Sequence, residues 1–188
     1  RLDMQSELVE LRRQLGMTFV YITHSQEEAL TMSDRIVLMR RGRIEQSGAP
    51  VDLFDRPVSR FVAEFMGFEN LLVGTVQEAR GREVRLVLPG DVRMVGVWSG
   101  REPPQTGQSA TLAVRAERIA LSEQEPSEAN DLNILPCRSN EQLYRGKYLD
   151  HTVETSAGRV KVRSWDHAVP VQATAVTWRT ENCVVVPA

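Results

Sequence analysis

The sequence predicts an α/β first half joined to an all-β second half, and three observations carry that prediction. Apolar residues recur at helical spacing up to Gly67, and from Asn70 onward the period drops to two. Turn signals at Pro89 to Asp91, Gly107, Gly146 and Gly158 fall at the short intervals of a small barrel or sandwich. Ser122 to Asp131, SEQEPSEAND, is polar and acidic without periodicity and reads as a loop that divides the β half. The expected domains are therefore 1–67 and 68–188, the second built from β segments of about 68–121 and 132–188.

In chain order, RLDMQSELVELRRQLG sets Met4, Leu8, Leu11 and Leu15 at helical spacing and predicts an amphipathic helix. Phe19 to Ile22 has the β-branched and aromatic composition of a buried strand. Ser25 followed by Glu28 has capping-box spacing, so a helix over Gln26 to Thr31 is expected to start just after His24. That places the His24 imidazole at a strand end beside a helix N-terminus, where α/β proteins keep their ligand chemistry. Arg35 to Gln46 reads as a hairpin turning at Gly42, with Arg40, Arg41 and Arg43 as a solvated tip. Pro50 suits the first position of a short helix that Pro57 ends. A second helix is expected to start at Pro57, with Val58, Phe61, Val62, Phe65 and Met66 on one apolar face and Gly67 closing it. In the β half, Val84, Leu86 and Leu88 share one strand face, Val160 and Val162 a second, and Val176 and Trp178 a third.

Composition narrows the functional classes. With 188 residues, 41% of them apolar and 26% charged, the chain has the make-up of one or two ordinary folded domains. A net charge of −2 with interspersed signs gives no footprint for nucleic acid. A nucleic-acid-binding barrel would also need stacking aromatics on a basic face. Beyond Asn70 only Trp98, Tyr144, Tyr148, Trp165 and Trp178 are available, and several of them belong in the core. No run reaches the roughly 20 apolar residues that span a bilayer, and the first residues form a charged helix rather than a signal peptide. Cys137 and Cys183 lie far apart without a partner at metal-ligand spacing, which fits reduced, inert thiols; no metal ligands are expected. His151 and His167 have no acidic or cysteine cluster nearby in sequence and are read as structural or exposed, and nothing suggests a nucleophile triad.

The string ITHSQEEAL resembles the switch region of ATP-binding-cassette (ABC) ATPases, which commonly read ITHD followed by Gln, Glu and Ala. The likeness runs on through DRIVLMRRGRIEQSGAPVDLFDRPVSRFVAEFMG, which is similar to the end of the nucleotide-binding domain in importers of the maltose and polyamine type. The resemblance implies that the first half is the α/β remnant of a P-loop (RecA-like) ATPase domain. It also implies that His24 senses the ATP γ-phosphate and helps to hold the attacking water in a closed dimer. Ser25 stands where the family usually has Asp, and either residue caps a helix. The sequence contains no GxxxxGK[ST] loop, no LSGGQ-like string and no apolar strand ending in Asp-Glu. The chain is therefore expected to be the C-terminal fragment of a longer subunit. ATP and Mg2+ are expected in that full-length subunit alone, and the fragment itself is expected neither to bind nor to hydrolyse ATP.

The β half resembles the TOBE domain, a small oligonucleotide-binding-like (OB-like) barrel appended to importer ATPases. The likeness rests on NLLVGTV, GQSATLAVRAERIAL, LYRGKYLDHTVET and VTWRTENCVVVPA. Arg115 and Glu117 match the charges of the family's Arg-Pro-Glu motif, with Ala116 in place of the proline. They are regulatory or dimer candidates, an ion pair at a strand end being the other reading. The resemblance implies a peripheral motor subunit on the cytoplasmic side of the inner (plasma) membrane. Its partners would be a second copy and the permease subunits, with an extracytoplasmic solute-binding protein reached indirectly. FMGFENLL points toward the polyamine branch. NLLVGTV also resembles the opening of molybdate-binding barrels, which makes an oxyanion-sensing barrel the alternative. The Ser-Ala-Arg usual there is Gly67, Phe68 and Glu69 here, which removes the cation and adds a negative charge.

Overall fold

Contacts divide the chain into Arg1–Arg56 and Pro57–Ala188 in a computed structural model that describes residues 2–123, 131–165 and 173–188. In the first unit, α1 (Leu2–Leu15) forms where the spacing predicts it, and its periodic residues Met4, Leu8, Leu11 and Leu15 are all exposed. Arg12 ties its last turn to Asp34 at 2.8 Å. Ser25 caps α2 (Gln26–Met32) by accepting the Glu28 N–H at 3.3 Å, as the sequence spacing requires. The rest of the capping box is rearranged: the Ser25 N–H donates to Thr23 Oγ1 at 2.9 Å. Glu28 accepts instead from the hydroxyls of Thr23 (2.5 Å) and Tyr21 (3.1 Å).

The expected strand over Phe19 to Ile22 does not form. Residues 17–23 carry neither helix nor strand, and Val20 and Ile22 are 89% and 93% exposed. Composition supplies β propensity, but a strand also needs a hydrogen-bonded neighbour, and no described strand pairs with this segment. The hairpin is formed by β1 (Ile36–Arg40) and β2 (Arg43–Gly48). Arg41 and Gly42 turn it with φ of 49° and 76°, the doubly left-handed geometry that matches strand twist. Pro50 occupies the first turn of α3 (Pro50–Asp55), and the Gln46 amide donates to the carbonyls of Asp52 and Arg56 at its end.

The second unit opens with α4 (Arg60–Phe65), which starts after Ser59 rather than at Pro57. Ser59 is the residue able to cap, and its Oγ accepts the Val62 N–H at 3.4 Å. The contact boundary thus precedes α4, whereas the change of sequence rhythm follows it at Gly67. Gly67 at φ 81° closes the helix, with its N–H on Glu64 O (3.1 Å) and that of Phe68 on Ala63 O (3.0 Å), a Schellman ending.

Among the described residues ten strands follow: β3 (Asn70–Arg80), β4 (Glu83–Leu88), β5 (Val92–Trp98), β6 (Ser109–Val114), β7 (Ala120–Ser122), β8 (Leu132–Tyr144), β9 (Leu149–Thr155), β10 (Gly158–Ser164), β11 (Ala175–Arg179) and β12 (Cys183–Pro187). They form a closed barrel in the order β12-β5-β4-β3-β6 and a second five-stranded sheet in the order β10-β9-β8-β11-β7. The small barrel expected from the turn spacing is present, but the two β segments interlock rather than follow one another. β12 closes the first barrel, antiparallel to β6 (Val184↔Ala113) and parallel to β5 (Val184↔Val97). In return β7 joins β11 of the second sheet (Leu121↔Val176).

The two modules correspond strand for strand, and each carries an asparagine at the same place. The Asn70 amide brackets the backbone N–H and C=O of Lys161 at 2.7 and 2.9 Å, and the Asn133 amide brackets those of Val95 at 2.8 and 2.7 Å. Val84, Leu86, Leu88, Val160, Val162, Val176 and Trp178 all face inward as their alternation predicts, into one apolar core shared by both modules. The acidic segment 122–131 lies largely outside the described residues, as does His167.

Candidate functional site

His24 sits at a bend directly ahead of the Ser25 cap, and its imidazole is exposed. The bend is fixed from below: Thr23 receives the Ser25 N–H, and Glu28, only 7% exposed, holds Thr23 and Tyr21 by their hydroxyls. These bonds hold the segment around the cap, and His24 remains exposed. Such a group can give or take one proton or one hydrogen bond at a phosphate oxygen. A nucleotide triphosphate with its cation needs more, namely a loop of backbone amides, a lysine and metal-binding oxygens. Among the described residues no group of three or more His, Cys, Asp or Glu is placed to hold a metal ion. Among the described residues, His24 offers one exposed hydrogen-bonding group at this bend.

Arg115 and Glu117 lie in the second unit and part company there. Arg115 is 8% exposed; its Nη1 donates to Met66 O at 2.7 Å and its guanidinium lies 4.2 Å from the centre of the Phe68 ring. Glu117, two residues on in a short 3-10 turn (Ala116–Arg118), faces solvent. Sequence reasoning named Arg115 but did not place Glu69 at the same turn. The Glu69 carboxylate accepts the Ala116 N–H at 3.2 Å and pairs with Arg163 at 3.2 Å, and Arg163 also meets Asp150 at 3.0 Å. Asp150 is the cross-strand neighbour of Arg163 in the β9–β10 hairpin, whereas Glu69 lies 94 residues away and leaves no local signal. Arg163 stacks on Tyr148 at 4.6 Å, and Tyr148 meets exposed Trp165 edge-on at 5.2 Å.

Further titratable groups are buried in this unit. The Cys183 thiol is pushed up to about 12, mainly by burial. His151, 1% exposed, is pushed down by burial against a smaller opposing pull from Asp150. Both cysteines are free and buried, as expected of structural thiols.

No protein-family model matches the chain. Comparison with curated proteins is informative. The chain is 35% identical over 191 aligned residues to the spermidine/putrescine import ATP-binding protein PotA of Rubrobacter xylanophilus, across 98% of this chain and 49% of that protein. Its homologues are ABC importer ATP-binding subunits. PotA of Thermobifida fusca is 40% identical across 82% of the chain and 39% of its own length, and PotA of Vibrio vulnificus 37% across 95% and 48%. The chain therefore spans about half the length of the relatives it matches. Among solved structures, the cytoplasmic molybdate-binding protein ModG superposes with a TM-score of 0.52 at 15% identity, covering 64% of this chain and 96% of ModG. At that identity the likeness speaks for the fold alone. No described helix is long and apolar enough to cross a membrane.

Proposed function

We propose that the chain is the C-terminal part of the ATP-hydrolysing subunit of a binding-protein-dependent ABC importer, of the spermidine/putrescine type. The observation that carries this reading is the identity of 35% sustained over 98% of the chain to an import ATP-binding protein of that description. Residues 1–67 correspond in this reading to the end of the P-loop (RecA-like) ATPase domain, and 68–188 to an OB-like TOBE domain with a regulatory or dimer-stabilising role. Bound ATP with Mg2+ supplies the phosphoryl group and neutralises part of its charge. His24 contributes a hydrogen bond to the γ-phosphate and orients the attacking water, a positioning and charge-stabilising share. Its exposed imidazole, on a bend braced by Thr23 and Glu28, supports that role. The other phosphate contacts come from outside this chain, so the chain alone is inactive. The partners are a second copy of the subunit and the permease at the cytoplasmic face of the membrane, with the solute-binding protein reached through the permease.

The test is ATP hydrolysis by the full-length subunit, together with polyamine uptake by cells lacking its gene. The expected result is Mg2+-dependent turnover and a loss of uptake that the intact gene restores. A full-length protein without ATP turnover overturns the ATPase reading, and unchanged uptake overturns the substrate class.

A second reading, an oxyanion-sensing barrel, is favoured by the fold likeness to ModG. It is opposed by Glu69, whose carboxylate occupies the segment before Asn70 and is already engaged by Arg163 and the Ala116 N–H. Thermal shift with molybdate, sulfate and spermidine separates the readings. A rise in midpoint with molybdate favours the sensor, and none favours the motor-associated module.

A further inference from the structure

The internal correspondence of the two β modules supplies a comparison within one molecule. Arg115, just after β6, caps a 3-10 turn that continues Ala116-Glu117, and Arg179, the last residue of β11, caps another (Thr180–Asn182) that continues Thr180-Glu181. The two arginines occupy equivalent places and have opposite fates. The Arg179 side chain is 64% exposed and lies 3.8 Å from Glu181, a solvated pair of little energetic consequence. Arg115 is 8% exposed and reaches past its own turn to the carbonyl of Met66, the C-cap residue of α4. Burial is thus no property of the Arg-x-Glu motif. It arises where α4 is present to receive the guanidinium.

We propose that Arg115 is a latch that fixes α4 to the β half, so that α4 moves and exchanges with the barrel rather than with the first unit. Three contacts converge on the junction. Arg115 donates to the Met66 carbonyl at the negative end of the helix and covers Phe68. Glu69, the residue after Phe68, accepts from Ala116 N–H and grips Arg163. Ala63 and Phe68 pack with Ala113, Val184 and Val186 on the outside of the first barrel. A charge-assisted bond, a stacked cation and an apolar seam therefore bind one short helix to β6 and β12. A helix of six residues has little stability of its own, so these contacts decide which body it follows. In the importer reading, on which this last point rests, Arg115 is a positioning residue: it makes the barrel and α4 one rigid lever joined to the ATPase part through the segment before Ser59.

Native-state hydrogen exchange of the chain under increasing urea tests the latch without an activity readout, so its outcome is independent of the transport assignment. In the unaltered chain, the amides of Val62 to Phe68 are expected to share the opening free energy and urea dependence of the β6 amides. If they instead follow α3, or exchange freely, the latch is wrong. Arg115→Ala is expected to speed exchange at Met66, Gly67 and Phe68 by about 10- to 100-fold, with β4 and β9 amides unchanged, whereas Arg179→Ala leaves α4 unaltered. Unchanged α4 exchange in Arg115→Ala overturns the proposal. If that variant fails to fold, the measurement on the unaltered chain still decides.

Discussion

The Cys183 thiol illustrates how far burial governs single residues here. Its Sγ lies 3.3 Å from Val95 O and 3.6 Å from the Asn133 amide, inside the shared core, and its pKa rises to about 12. Burial raises Cys137 as well. Neither thiolate is therefore populated near neutrality, and a thiol-specific disulfide reagent at pH 8 is expected to modify neither cysteine until denaturant is added. His151 makes the complementary case. Its folded pKa lies below the usual 6.5, so the native state binds fewer protons than the unfolded chain. Stability is then full above about pH 6.5 and falls as pH drops through that value toward the folded pKa. Urea midpoints at pH 7.5 and 5.5 are expected to show this loss, and His151→Gln to reduce the difference. At this scale the sequence reveals chemistry better than placement. The position of His24 beside a helix cap was legible from Ser25 and Glu28, because a cap is a contact across three residues. The inward turn of Arg115 was not, because its acceptor Met66 lies 49 residues away.

Elements built from local contacts follow the same rule. α1, α2, the hairpin turning at Gly42 and the Gly67 helix ending were all readable, since propensity, capping and turn geometry act over a few residues. The Phe19 to Ile22 strand was misread, because composition records a preference for extension and says nothing about whether a neighbour is present. The asparagine clamps belong to this level too. Asn70 and Asn133 each satisfy one N–H and one C=O on a strand that is distant in sequence. Replacing either by Ala leaves both backbone groups without that partner, at a cost of about 1–3 kcal/mol measurable by urea unfolding. Asn70→Asp keeps the shape but presents an acceptor to the Lys161 carbonyl, and is expected to destabilise at least as much.

Across the second unit, exchange of β7 and β12 makes each module depend on the other's last strand. Nothing in a period-two pattern announces such an exchange, which is why the sequence yielded strands and a barrel but not their interlocking. One shared core and two exchanged strands imply a single cooperative transition. Trp98 lies in the first barrel and Trp178 in the second sheet, both buried, so fluorescence from single-tryptophan variants at the two positions is expected to report the same urea midpoint. The reading proposed above sets an ATPase domain before this unit and has His24 contact the γ-phosphate. ATP turnover of the full-length subunit with His24→Ala tests that account most directly. The account predicts a fall of about 100-fold or more with nucleotide affinity largely retained; turnover equal to that of the unaltered subunit would contradict it.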